Sequence, residues 1–227
     1  MTHSADEDRS EAGGELIPST LSGVARYFFG HWSPRLLGLA WVGSAAARLT
    51  RPEWNWIDGV IVLVVVASWP TLEWLIHVFV LHFKPKKLAS RTLDLPVAKI
   101  HRLHHEDPWR LELVFIPLHV FIGLPALPVI ALWIAPTLAW GLTFLSIFFA
   151  LSLHYEWVHL LVHTRYKPRS WNYQRLWRNH RLHHFKNEAY WYGVTMLSGD
   201  RIMRTAPDKA KVATSATARN LLGKDEE

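Results

Sequence analysis

The sequence predicts an all-α, integral membrane helical protein. Three observations carry that prediction: apolar residues gather in long runs between basic stretches, tryptophans mark the ends of those runs, and Lys and Arg are unevenly shared among the connections. Half of the 227 residues are hydrophobic and 13 are Trp, a ring that favours the membrane–water interface. The net charge of +6 does not call for nucleic acid, because the basic residues flank apolar runs as membrane anchors do. No cysteine is present. That removes disulfides, thiolate-held zinc or iron–sulfur sites, and thiol catalysis.

Along the chain, residues 1–17 are acidic and polar, with neither a basic nor an apolar signal region, and are expected to form a disordered tail. Residues 18–33 suit an interfacial segment. Four apolar segments follow. The first, 34–50, is short and carries Arg35 and Arg48, so its spanning the bilayer is left open. The second runs from Trp56 to His82. The third, 111–135, contains Pro117, Pro125 and Pro128 and should bend. The fourth, 137–163, should pair with the third as a hairpin with its tip at Pro136. The membrane domain is expected over 18–205, followed by a polar C-terminal tail over 206–227.

Charge sets the orientation. The connection before the third segment carries Lys84, Lys86, Lys87, Arg91, Lys99, Arg102 and Arg110, and the chain after the fourth is also basic, whereas the Pro136 tip has neither Lys nor Arg. The positive-inside rule places the basic connections in the cytosol. A multi-pass protein of a bacterial inner membrane or the endoplasmic reticulum is expected.

Of 14 His, ten fall into four ordered groups. His77 and His82 form H-x4-H. His101, His104 and His105 form H-x2-H-H. His159 and His163 form H-x3-H, and His180, His183 and His184 form a second H-x2-H-H. Residues three or four apart share a helix face. The five-residue spacing of His77 and His82 requires either a distorted helix end or two different metals. Helical rise puts His77 roughly 31 Å from Trp56 and His159 roughly 29 Å from Trp140, against a hydrocarbon core of about 30 Å. Both therefore reach the cytosolic boundary together, and His82 and His163 lie about 6–8 Å beyond it. One isolated histidine is usually structural, but four groups converging on one plane are not explained that way. His3, His31, His119 and His154 stand outside the pattern.

Neutral imidazoles bind iron, zinc, copper and nickel, and ten exceed the needs of one ion, so two metal ions are expected. Dioxygen chemistry on an unactivated C–H bond favours iron; zinc lacks redox chemistry but can occupy such a site in isolated protein. Glu73, Glu156 and Asn179 are candidates for outer partners that orient the histidines. Tyr190-Trp191-Tyr192 is expected to pack at the interface.

These groups resemble the fatty acid hydroxylase superfamily, which includes sterol desaturases and carotenoid hydroxylases. The matching stretches are EWLIHVFVLH (73–82), KIHRLHH (99–105), HYEWVHLLVH (154–163), NHRLHHF (179–185), YWYGVT (190–195) and GDR (199–201). The resemblance covers roughly 58–205. It implies about four transmembrane helices under a cytosolic, histidine-rich helical cap, with the ten histidines ligating a dimetal centre. It implies an oxidoreductase that hydroxylates a lipid-like substrate (fatty acyl, sterol or carotenoid) with O2. There is no fused haem domain, so a separate electron-transfer protein is expected as donor. Desaturation at the same site, and a membrane metal transporter or sensor, are the alternatives.

Overall fold

The computed structural model describes residues 11–12, 15–123, 126–219 and 221. The expected N-terminal tail, and His3 with it, lies largely outside the described residues. The chain there is mostly helical, and its order follows the apolar pattern. Helices α1 (Leu21–Gly30) and α2 (Trp32–Leu49) open the domain. Thr20 and His31 cap them, each side chain accepting from a backbone N–H of the first turn. Helix α3 (Trp56–Ile76) starts in a capping box between Asn55 and Asp58 and runs on as a π-helical turn over His77–Leu81. Helix α4 (Pro96–Glu106) has proline in its first turn, where the missing N–H costs nothing. The third apolar segment is broken into a 3-10 turn (Leu111–Val114), α5 (Leu118–Gly123) and α6 (Ala126–Ile134), and the stretches Leu111–Gly123 and Ala126–Ile134 are bent by 60° to each other. Helix α7 (Leu138–Val162) is the fourth segment. Helices α8 (Trp171–Phe185) and α9 (Ser198–Ile202) complete the set.

Two of these helices, Trp56–Leu81 and Leu138–Val162, are long and apolar enough to cross a membrane, or three if the bent pair is one span. Helix α2, which carries Arg35 and Arg48, is not among them. The only sheets among the described residues are two short antiparallel ladders, Glu11–Ala12 with Glu15–Leu16, and Lys86–Leu88 with Arg91–Leu93.

Helix α7 is the central post: α2 and α3 both pack along it. Leu37, Ala131, Leu145 and Phe149 form one core at its middle. Val24, Phe28, Leu111, Phe115 and Leu160 form another nearer its histidine end. Gly141 lets α6 fold back on α7, since a Cβ there would press on Leu132 and Ala135. Away from the cores, Trp56, Leu63, Val64, Val129 and Trp133 stay exposed, a belt that would be costly in water and suits a bilayer. At the end of the bundle remote from the histidines, buried Arg48 pairs with Asp58 (2.9 Å), and its Nε donates to the Thr143 hydroxyl (2.8 Å). This ties α2, α3 and α7 together and answers the charge that an arginine brings into an apolar bundle.

Candidate metal centre

The fold brings the ten histidines of the four sequence groups to one end of the bundle, in two sets of five. His77, His82, His101, His105 and His183 form one set; His104, His159, His163, His180 and His184 form the other. Within each set the candidate ligand atoms all lie within 4.8 Å of one another. The sets abut: the His105 and His184 rings stack with centroids 4.1 Å apart. His119 and His154 belong to neither set, and His31 instead stacks on Phe115, with centroids 4.0 Å apart.

Local backbone geometry explains the sorting. In α4, His101 and His105 are four apart and share a face, while His104 is turned toward the other set. In α8, His180 and His184 share a face and His183 crosses over. The five-residue spacing of His77 and His82 is resolved by distortion. The helix end widens into a π-turn, the His82 N–H donates to the His77 carbonyl (3.0 Å), and residues five apart come to lie above one another.

Four of these rings are held through Nδ1 by backbone carbonyls. A carbonyl can only accept, so the nitrogen facing it carries the proton. His77 donates to the Tyr192 carbonyl (2.7 Å), His105 to Ala218 (2.8 Å), His159 to Val114 (2.9 Å) and His183 to Tyr190 (2.8 Å). The neutral ring then presents Nε2 as a lone pair to the centre, the arrangement that metal-bound histidines use. Nε2 of His77, His101, His104, His105 and His159 is buried with no hydrogen-bond partner among the described residues. Leaving such a group unpaired costs about 1–3 kcal/mol. Other Nε2 atoms face each other at close range: His82 with His183 (3.1 Å), and His180 with both His163 (3.0 Å) and His184 (3.0 Å). Two nitrogens each about 2.1 Å from one ion, at a right angle, would be about 3.0 Å apart. The donor set therefore fits metal ions.

Electrostatics agree. Burial, reinforced by neighbouring imidazoles, holds His101, His104, His180, His183 and His184 well below the usual histidine range. Burial takes His105 down to about 3, against the carbonyl bond that favours its protonated form. These rings are neutral at physiological pH, as ligands must be.

Glu73, Glu156 and Asn179 are not bonded to imidazoles in this structure. The Glu73 carboxylate accepts from the Val194 and Thr195 N–H groups and from the Thr195 hydroxyl. Glu156 accepts from the Ser33 hydroxyl and from the Ile116 N–H (2.8 Å). Asn179 donates to the Trp191 and Gly193 carbonyls and to Asp200. They pin the segments that carry the carbonyls, one step further from the rings than the sequence suggested.

Trp191 and Tyr192 are buried rather than interfacial. Trp191 adopts a left-handed φ of 59°, a strained setting for a bulky residue, and the carbonyls on either side of it serve His183 and His77. In the sequence, only its place in GDR (199–201) marks Asp200. It is fully buried and accepts from the Tyr192 N–H (2.9 Å), the Gly193 N–H (2.8 Å) and the Thr205 hydroxyl (2.7 Å). The segment from 206, expected as a polar tail, folds back over the centre. Besides the Ala218 carbonyl, Arg219 donates to the carbonyls of His105 and Glu106.

A cavity of about 290 Å³ adjoins the centre. Its walls are mostly aliphatic and aromatic, from α3, α4, α7 and the 111–121 stretch, and it reaches His101 of one set and His159 of the other. Glu73, Ser152 and Tyr155 are its other polar lining.

Comparison with known proteins follows the same outline. The family model described as fatty acid hydroxylase matches residues 62–205. Dihydroceramide fatty acyl 2-hydroxylase FAH2 of Arabidopsis thaliana is 27% identical over 171 residues, which are 72% of this chain. The chain spans 66% of that relative's length, just under two thirds. A solved structure titled full length scs7p, with only its hydroxylase domain visible, superposes with a TM-score of 0.60 at 22% identity. The match covers 82% of this chain and 74% of that one, and establishes likeness of fold.

Proposed function

Because this chain belongs to the fatty acid hydroxylase family, we propose that it hydroxylates an unactivated C–H bond of a lipid-like substrate, consuming O2. The observation that carries this reading is the apolar cavity that meets both histidine sets at once. Its volume lies at the low end for ligand sites, about 300 Å³, which suits a length of hydrocarbon chain rather than a whole lipid.

In this reading His77, His82, His101, His105 and His183 hold one metal ion, and His104, His159, His163, His180 and His184 hold the other. Two irons, when bound, supply the activation of dioxygen and the removal of hydrogen from carbon. The chain supplies the rest. Carbonyls of Val114, Tyr190, Tyr192 and Ala218 fix the ring tautomers. Leu72, Ile76, Val120 and Phe148 hold an acyl chain beside His101 and His159 and keep bulk water away. Glu73, Glu156 and Asn179 act as positioning residues through the loops they pin. Residues 18–205 form the membrane domain, with the histidine end on the cytosolic side and the 206–219 segment closing it. Electrons come from a separate protein.

Untargeted lipid mass spectrometry of cells with and without the gene tests this. A lipid gaining one oxygen atom is expected. Loss of two hydrogens instead would make the chain a desaturase, and an unchanged lipid profile would sink both readings.

A further inference from the structure

The described residues form a second pocket, an open groove of about 410 Å³ between α7 and the helices α8 and α9. Its chemistry is the reverse of the first. His154 from α7, Asn172 and Arg175 from α8, and Ser198 and Arg201 from α9 line it, and no Asp or Glu does. Neither guanidinium has a carboxylate or a hydrogen-bond acceptor among the described residues. The ion pairs found there are Arg48–Asp58, Arg102–Asp94 and Arg110–Glu112, all elsewhere. Arg175 is steadied by stacking on Trp171, 4.3 Å from the ring centroid.

Two guanidiniums lining one groove, with no carboxylate beside them among the described residues, make it positively charged, and a shared anion would neutralise that charge. The planar fork of arginine matches the oxygens of a phosphate. The Ser198 hydroxyl and the Asn172 amide offer further donors. The surroundings indicate what the phosphate is attached to. His154 sits on a helix apolar enough to cross a membrane, about two turns before its end at Val162. The neighbours of the two arginines, Trp171 and Ile202, are 66% and 62% exposed, which places large apolar surface beside a polar groove. A ligand with a phosphate and hydrocarbon tails satisfies both. A zwitterionic headgroup would bring a cation into a groove without an acid, so a net anionic one fits better.

We propose that this groove binds the phosphate of an anionic membrane phospholipid, at the level where α7 leaves the bilayer. The site is separate from the apolar cavity and does not depend on the hydroxylase reading. The two share a wall, since Thr195 lines the groove while its hydroxyl donates to Glu73, which lines the apolar cavity.

The test uses the full chain purified from vesicles of phosphatidylcholine and phosphatidylglycerol, with retained lipid read by native mass spectrometry. The wild type should keep phosphatidylglycerol in preference to phosphatidylcholine. Arg175→Ala combined with Arg201→Ala should weaken retention roughly tenfold for each guanidinium, while Arg91→Ala, on the exposed hairpin, should change nothing. Thermal melting and the spectrum of Co²⁺ titrated into the histidine centre should match wild type. If the double variant misfolds, Arg201→Gln alone, at an exposed side chain, gives the same reading. Undiminished retention in the variants, equal retention of phosphatidylcholine, or displacement by millimolar inorganic phosphate alone would each overturn the proposal.

Discussion

Individual side chains separate ligands from bystanders most sharply. His184→Ala removes a buried imidazole whose Nε2 lies 3.0 Å from that of His180, and metal content measured by elemental analysis should fall with it. His154→Gln should leave metal content intact, because His154 lines the other cavity. Equal loss in both variants would show that the two sets of five are not the ligand sets. Acid should act through the same rings. An unfolded histidine titrates near 6.5, whereas His105 in the fold is held at about 3 and its neighbours well below the usual range. From about pH 6.5 downward the unfolded chain therefore binds protons that the folded chain refuses. Stability then rises with pH through that window and is lost on acidification. Thermal melts of metal-free protein in detergent should drop steeply between about pH 7 and about pH 5, and saturating Zn²⁺ should raise the melt at neutral pH. A flat profile would contradict the burial of these rings. The residue types and their spacing made the ten histidines legible in the sequence. The carbonyls that orient them were not, because every residue has one and only the folded path of 190–193 aims those of Tyr190 and Tyr192.

Elements were legible wherever periodicity and caps agreed. Helix α3 together with its π-turn, and helix α7, follow their apolar runs to within a residue or two, and the expected bend in the third segment is present. The π-turn over His77–Leu81 was only half legible. Spacing demanded either a distortion or divided duty, and hydrogen-bond register, which no spacing encodes, decided for distortion. The docking of α9 on α3 was invisible. Gly199 sits against the Pro70 carbonyl, where an added Cβ would overlap it. Gly199→Ala should therefore push α9 away and loosen the 192–195 loop that serves Glu73 and His77. A loss of about 1–3 kcal/mol is expected, read as a lowered Tm together with reduced metal content. An unchanged Tm would mean that the contact gives way freely.

For the whole molecule, the proposed orientation in the bilayer can be checked by labelling from either side. A cysteine replacing Thr137, before α7, should react with an impermeant reagent from the side opposite the cytosol, and one replacing Ser170 should not. The reverse pattern would invert the proposed orientation. The arrangement of the centre also has a thermodynamic consequence. Each H-x2-H-H helix gives two histidines to one set and lends its third to the other: α4 lends His104 and α8 lends His183. Seating an ion in either set would therefore hold both helices in the register that the other set needs, so the first ion bears most of the ordering entropy and the second binds to a prearranged cage. Titrating metal-free protein with Co²⁺ should give a sigmoidal isotherm with few singly loaded molecules. Exchanging one lent histidine for alanine should weaken both steps together.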